Sequence, residues 1–274
     1  MNTDTLMQLA LEMAGLDEIP GDSAIHYPGA AVQRVLIGID VKQAELMLAK
    51  SLGFDCVIGH HPSAGRSMLH YHEVLLRHVD QMVGQGVPSE IAQEVMAETV
   101  ESRRVLASMQ NYDHAPSVAR LLDLPYLNIH TPLDEIGRRR LAAAIRQMPP
   151  ESTTTQLADH LRESFGEFRN ADTEIELRVG RPENPMGRAV MSHGAGTNGG
   201  YPVAKAYFDH GVDTVVYIHC RPEDAAKLRA EYGDAKNLLV TGHIASDAIG
   251  INPYVERLRE EGLDVSTFSG IIAP

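Results

Sequence analysis

Two adjacent histidines, His60 and His61, follow the apolar run DCVIG (55–59) and precede Pro62. Such a run reads as a strand, so both imidazoles stand at its carboxyl end, where open α/β sheets place their sites. Neighbouring side chains on a strand point to opposite faces. Pro62, however, restrains the backbone before it to extended or turn conformations that can swing both rings out of the sheet. Paired neutral imidazoles can ligate zinc, iron, manganese or nickel. The pair is equally compatible with a site that holds no metal.

A second cluster lies in LLVTGHIASDAIG, where a strand at 237–241 leads into a helix. His243 and Asp247 are spaced i, i+4, which puts imidazole and carboxylate on one helix face, able to hold one ion. The plain alternative is a helix start whose Ser246 and Asp247 favour the N-terminal dipole. The third piece is NIHTPLDEIG, in which Asp134 lies beyond the strand 125–130, four residues after His130, with Pro132 shaping the turn. Alone it reads as a turn residue. One carboxylate among two nitrogen clusters can bridge two cations or offset part of their charge, while open positions hold water. All three clusters follow apolar strands, and parallel strands bring such ends to one edge of a sheet.

The elements that must position these groups alternate. A strand at 34–40 ends in Asp40, a helix at about 42–52 stops at Gly53, and the strand 55–59 follows, a βαβ order that favours a parallel sheet. Residues 66–124 read as a largely helical insertion before the strand 125–130. Helices are expected at about 137–147, 154–165 and from His243 to about 260. Further strands are expected at 173–180, 187–192, 213–218 and 263–268. Pro149-Pro150 marks a junction between a first half, 1–148, and a second, 149–274. An Arg-led strand, an Ala-Lys helix, a Gly-x-Asp entry and a Val-rich strand ending in His and Pro occur in both halves. A duplicated βαβ unit and a chance likeness both fit that order. The loop SHGAGTNGG (192–200) could offer backbone N–H groups to an anion, but it lacks a P-loop's Lys-Ser/Thr, and a tight turn is favoured. His193, Thr197 and Asn198 remain candidates for a pocket wall, and the lone His219 reads as structural.

Composition narrows the classes. With 274 residues, 43% hydrophobic and 22% charged, the chain can bury one large core or two small ones. A formal net charge of −13 argues against general nucleic-acid binding, and the run Arg138-Arg139-Arg140 reads as a solvated helix start. Two cysteines, Cys56 and Cys220, give no disulfide framework, so a cytoplasmic setting is expected. The first residues pattern as an amphipathic helix rather than a signal peptide, and no apolar run reaches bilayer length.

Taken together, GIDVKQAELMLAKSLGFDCVIGHHP, HTPLD and VTGHIASDAIGINPYVERLREEGLDV resemble the Nif-three-like family, often labelled GTP cyclohydrolase I type 2 homologues, over the whole chain. The resemblance implies an α/β fold of two similar intertwined α/β/α halves with mainly parallel sheets, the helical insertion lying in the first. It implies a homo-oligomer, often a toroidal hexamer, and two divalent metal ions held by His60, His61, Asp134, His243 and Asp247. Asp40 matches an aspartate that supports the ligands. The chain departs from the commoner pattern with Asp247 in place of Glu and Pro132 in place of Asn. Its longer stretch between His61 and Asp134 suggests a longer branch. The expected function is a metal-dependent hydrolase acting through activated water on an unidentified small molecule, a nucleotide or phosphoester among others, with Asp40 or His193 orienting water or substrate. The alternative is a non-catalytic metal-binding regulatory or adaptor protein.

Overall fold

The apolar runs become nine short strands. The first four are β1 (Ala24–Tyr27), β2 (Arg34–Gly38), β3 (Cys56–Gly59) and β4 (Tyr126–Asn128). The next four are β5 (Glu176–Val179), β6 (Ala189–Met191), β7 (Thr214–Tyr217) and β8 (Asn237–Val240), and β9 (Asp264–Phe268) comes last. The computed structural model describes residues 1–274 and divides into two units, each discontinuous in sequence. The first unit is Met1–Val74, Glu101–Ile136 and Gly250–Ile271; the second is Leu75–Val100, Gly137–Ile249 and Ile272–Pro274.

The first unit is built on a sheet of order β1-β4-β3-β2-β9, parallel except for β1, which runs antiparallel to β4 at the edge. Period-two alternation sends Val35, Ile37, Ile58 and Leu127 to one face, where they pack with Leu6 and Leu11 of the N-terminal helix and with Tyr254 and Leu258. Leu36, Val57 and Tyr126 face the other way, onto Leu46 and Ala49 of the helix Gln43–Ser51 and Ala115 and Ala119 of the helix His114–Leu122. Both faces are covered, which is why these strands read as unbroken apolar runs.

The second unit has the order β5-β8-β7-β6, again parallel apart from an antiparallel edge strand, β5. Met191, Val216 and Leu239 pack with Leu157, Leu161 and Ile249. Strand for strand, β5, β8, β7 and β6 repeat the order β1, β4, β3 and β2, and each antiparallel edge strand carries a register shift. The two βαβ units that looked alike in sequence, β2 to β3 and β6 to β7, therefore occupy equivalent places in their own sheets.

Two local expectations change. β1 was not anticipated: AIHY is a four-residue edge strand with a single covered neighbour, too short for a periodic signal. The helix expected at about 137–147 begins at Thr131 instead. Proline is well suited to a first helical turn, where its missing N–H is not needed, so Pro132 starts this helix rather than shaping a turn before it. Asp134 thus sits in the first turn. The segment 66–124 is helical as expected, the longest piece being Ser89–Ser108.

Candidate metal centre

In the first unit, β3 ends at Gly59 and delivers His60 and His61, while β4 leads through Ile129 to His130 and the helix that carries Asp134. Ligand atoms of His60, His61 and His130 lie within 4.8 Å of one another. Each ring is held through Nδ1. His60 Nδ1 donates to the Ile129 carbonyl at 3.0 Å, His61 Nδ1 to Asp40 Oδ1 at 2.9 Å and His130 Nδ1 to Asp22 Oδ2 at 2.7 Å. A carbonyl only accepts, so His60 carries its proton on Nδ1, and the two carboxylates favour the same tautomer in its neighbours. The lone pair then lies on Nε2, the arrangement by which outer partners prepare histidine ligands.

Asp134 faces these lone pairs. One carboxylate oxygen is 3.2 Å from His60 Nε2 and the other 3.6 Å from His130 Nε2. The side chains of His60 and Asp134 are 0% and 4% exposed. A lone pair turned onto a buried carboxylate at that range is repulsive unless a proton or a metal cation stands between them, and imidazole nitrogen with carboxylate oxygen is a donor set that suits zinc and its neighbours. The residues of this unit fit a metal.

The second unit holds the other predicted pair. His243 opens the helix His243–Glu260, and its Nε2 lies 3.4 Å from Asp247 Oδ2, one turn on. His243 is partly exposed and Asp247 buried. The pair repeats the pattern of His130 and Asp134: an i, i+4 imidazole and carboxylate at the start of the helix after equivalent strands, β8 and β4. That repetition, HTPLD against HIASD, was the sequence signal that could have placed His130 in the cluster. Asp22, which holds His130, carried no comparable signal.

His219 packs edge-on against His243 with ring centroids 4.6 Å apart. Asn198 Oδ1 accepts from the Ile218 N–H, so its amide nitrogen donates to His219 Nε2 at 3.1 Å and engages that lone pair. His193 is buried in the glycine-rich loop, where its carbonyl accepts from Gln81 Nε2 at 2.6 Å. The start of the helix Gly200–Asp209 meets an acid of its own: the Asp224 carboxylate stands 2.7 Å from where a Cβ on Gly200 would lie. The loop is a packed turn.

No family model matches the chain, and no curated protein matches it. Among solved structures it is similar to a NIF3 superfamily protein from Sphaerobacter thermophilus, with 47% identity, 98% of each chain covered and a TM-score of 0.94. It shares a fold with reduced HcgD from Methanocaldococcus jannaschii, at 12% identity, 97% of each chain and a TM-score of 0.58. A Bacillus cereus protein related to NIF3 matches at 11% identity over 98% of this chain and 96% of that one, with a TM-score of 0.53. No helix is long and apolar enough to cross a membrane. With nearly half its residues identical to the Sphaerobacter protein along almost the full length of both chains, the chain belongs to the NIF3 superfamily.

Proposed function

We propose that His60, His61 and Asp134 combine with His243 and Asp247 to hold two divalent cations in one dinuclear centre, with His130 beside them as a further nitrogen donor, and that the chain is a metal-dependent hydrolase. The observation that carries this reading is the set of three Nδ1-anchored imidazoles in the first unit, with the Asp134 carboxylate against two of their Nε2 atoms. The pair His243 and Asp247 supplies only two donors. Catalytic sites of this chemistry use about three protein ligands per ion, so the pair needs donors from elsewhere in the chain. Zinc, iron, manganese and nickel all suit the donor set.

Two cations held there would polarise a water and offset charge on an attacked phosphoryl or carbonyl group. The chain's own residues supply the rest. Asp22 and Asp40 fix the tautomers of His130 and His61, and the exposure of Asp40 supports it as the residue that would orient an incoming water. His193, the other residue expected from sequence to orient water or substrate, is buried in its loop, which favours Asp40 for that role. The substrate in this reading is a small molecule, with nucleotides, phosphoesters and cyclic amides all compatible with the chemistry, and the family resemblance supports a homo-oligomer.

The test is metal analysis of the purified chain before and after chelation, with a screen of nucleotide, phosphodiester and cyclic-amide hydrolysis. Native protein should carry close to two ions per chain and turn over at least one substrate class only when loaded. His60→Ala and His243→Ala should each lose metal and turnover. Metal loss in only one of the two variants breaks the shared centre. Full loading without turnover moves the reading to a metal-binding regulatory or adaptor protein.

A further inference from the structure

The two sheets share an order of four strands, but the first has a fifth. Beyond β2 it continues with β9, parallel to it, whereas the second sheet stops at β6. The Ser192 N–H donates to the Val216 carbonyl at 3.1 Å, and the Arg188 carbonyl accepts from the Thr214 N–H at 3.2 Å. Even-numbered residues along β6 therefore turn their backbone groups onto β7. Alternation sends the N–H and C=O of Ala189 and Met191 the other way, to the open edge. Such an edge is a template for another strand.

A groove of about 350 Å³ lies along that edge, with Val190 and Met191 on one side and Arg77, Gln81 and Gly84 of the helix Arg77–Gly84 on the other. The volume is at the small end of small-molecule sites. The helix runs against the direction of β6. Arg77 Nε donates to the Gly194 carbonyl at 2.8 Å, beyond the carboxyl end of the strand. At the opposite end, the Gln85 carbonyl accepts from Arg188 at 2.7 Å. Arg77 is thereby held where β6 finishes. Between these ends, Gln81 Nε2 donates to the His193 carbonyl at 2.6 Å, and Gln81 Oε1 is buried with no donor to meet it. A buried acceptor in that state is costly, and a ligand N–H would relieve it. Arg138 is a second cation on the wall, and Asp80, which is exposed, is its single carboxylate.

We propose that this groove binds a short extended peptide with a free C-terminal carboxylate, added to the sheet as a fifth strand parallel to β6. The peptide backbone pairs with Ala189 and Met191, as β9 pairs with β2. Strand direction then decides the charge: a parallel peptide finishes beside Arg77, whose guanidinium meets the carboxylate. An N–H on the far side of the peptide meets Gln81 Oε1. Three residues, about 10 Å of extended chain, match the three residues of β6. Main-chain bonds and the terminus carry the recognition, so the peptide side chains are loosely specified. The site lies wholly in the second unit and does not depend on the proposed metal centre.

The probe is Ala-Ala-Ala, titrated calorimetrically into the full chain in the presence of chelator. It should bind saturably with a Kd below about 1 mM. Its C-terminal amide, lacking the charge, and the tripeptide N-methylated at its central residue, lacking a donor, should each bind at least about tenfold more weakly. A Cβ at Gly84 meets no atom within 4 Å, so Gly84→Phe should fill the groove, abolish binding and leave the thermal midpoint unchanged. Ala189→Pro removes an N–H that faces away from β7, a change sheet edges tolerate, and should weaken the tripeptide at least about fivefold. Absence of saturable binding, equal affinity for the amide, or a folded Gly84→Phe variant that binds like the native chain overturns the proposal. An oligomer that dissociates in Gly84→Phe while the native chain binds no peptide assigns the groove to a second copy and overturns it too.

Discussion

Two carboxylates, Asp22 and Asp40, each accept the Nδ1 proton of a cluster histidine, and their surroundings differ enough to separate their effects. Asp22 is fully buried and takes the His130 proton at 2.7 Å, whereas the Asp40 side chain is 66% exposed at 2.9 Å from His61. Removing an outer partner of a ligating histidine typically weakens metal binding by about 10- to 100-fold, or about 1.4 to 2.7 kcal/mol. In Asp40→Asn, solvent already screens the charge and can accept the His61 proton, so the loss should be about tenfold or less. Asp22 is buried where solvent screens little, so in Asp22→Asn the loss should approach about 100-fold. Asp22 also accepts from the Thr131 hydroxyl at 2.7 Å at the start of the helix bearing Asp134. Thr131→Val removes that bond alone and serves as the control for simple loosening. Zinc affinity would be read by competition with a chromophoric chelator, and thermal unfolding would confirm that each variant is folded. Equal losses in the two Asp variants would refute the reasoning, as would a loss in Thr131→Val that matches Asp22→Asn.

His26 and His78 both have pKa values lowered from 6.5 to about 4, chiefly by burial. The unfolded chain therefore binds more protons between those limits. The stabilisation is complete above pH 6.5 and declines as pH falls towards 4, by about 3 kcal/mol for each ring. Urea midpoints measured in chelator across this window should fall with pH, and His78→Gln should flatten the slope; an unchanged slope counts against the burial argument. The hydroxyl of Tyr254, fully buried in the first core, donates to the Leu6 carbonyl at 2.8 Å. Tyr254→Phe should cost about 1 kcal/mol, read as a lower urea midpoint at constant slope; a variant as stable as the native chain contradicts it.

Much of the architecture was legible because the strands are short apolar runs buried on both faces, and each is bounded by glycine, proline or acid. RVLIG, CVIG, TVVY and NLLV announce themselves by composition alone, and the likeness of two βαβ stretches anticipated the repeated strand order of the two sheets. β1 escaped because an edge strand of four residues has neither length nor periodicity to betray it. The start of the helix at Thr131 escaped because a proline suits a turn and a first helical turn alike, and local sequence does not choose between them.

Sequence by itself determined the donor types, their positions after strands and the i, i+4 pairing of His243 with Asp247, since these depend only on local spacing. It also carried the motifs on which the resemblance to the family rests, and likeness to a solved structure then showed the membership. Only the tertiary structure decided that His130 stands with His60 and His61 and that Asp22 and Asp40 set the tautomers of His130 and His61. Those facts rest on hydrogen bonds between residues separated by 21 to 108 positions. No local pattern encodes a contact of that kind, because it exists only once the sheet has brought the strand ends together.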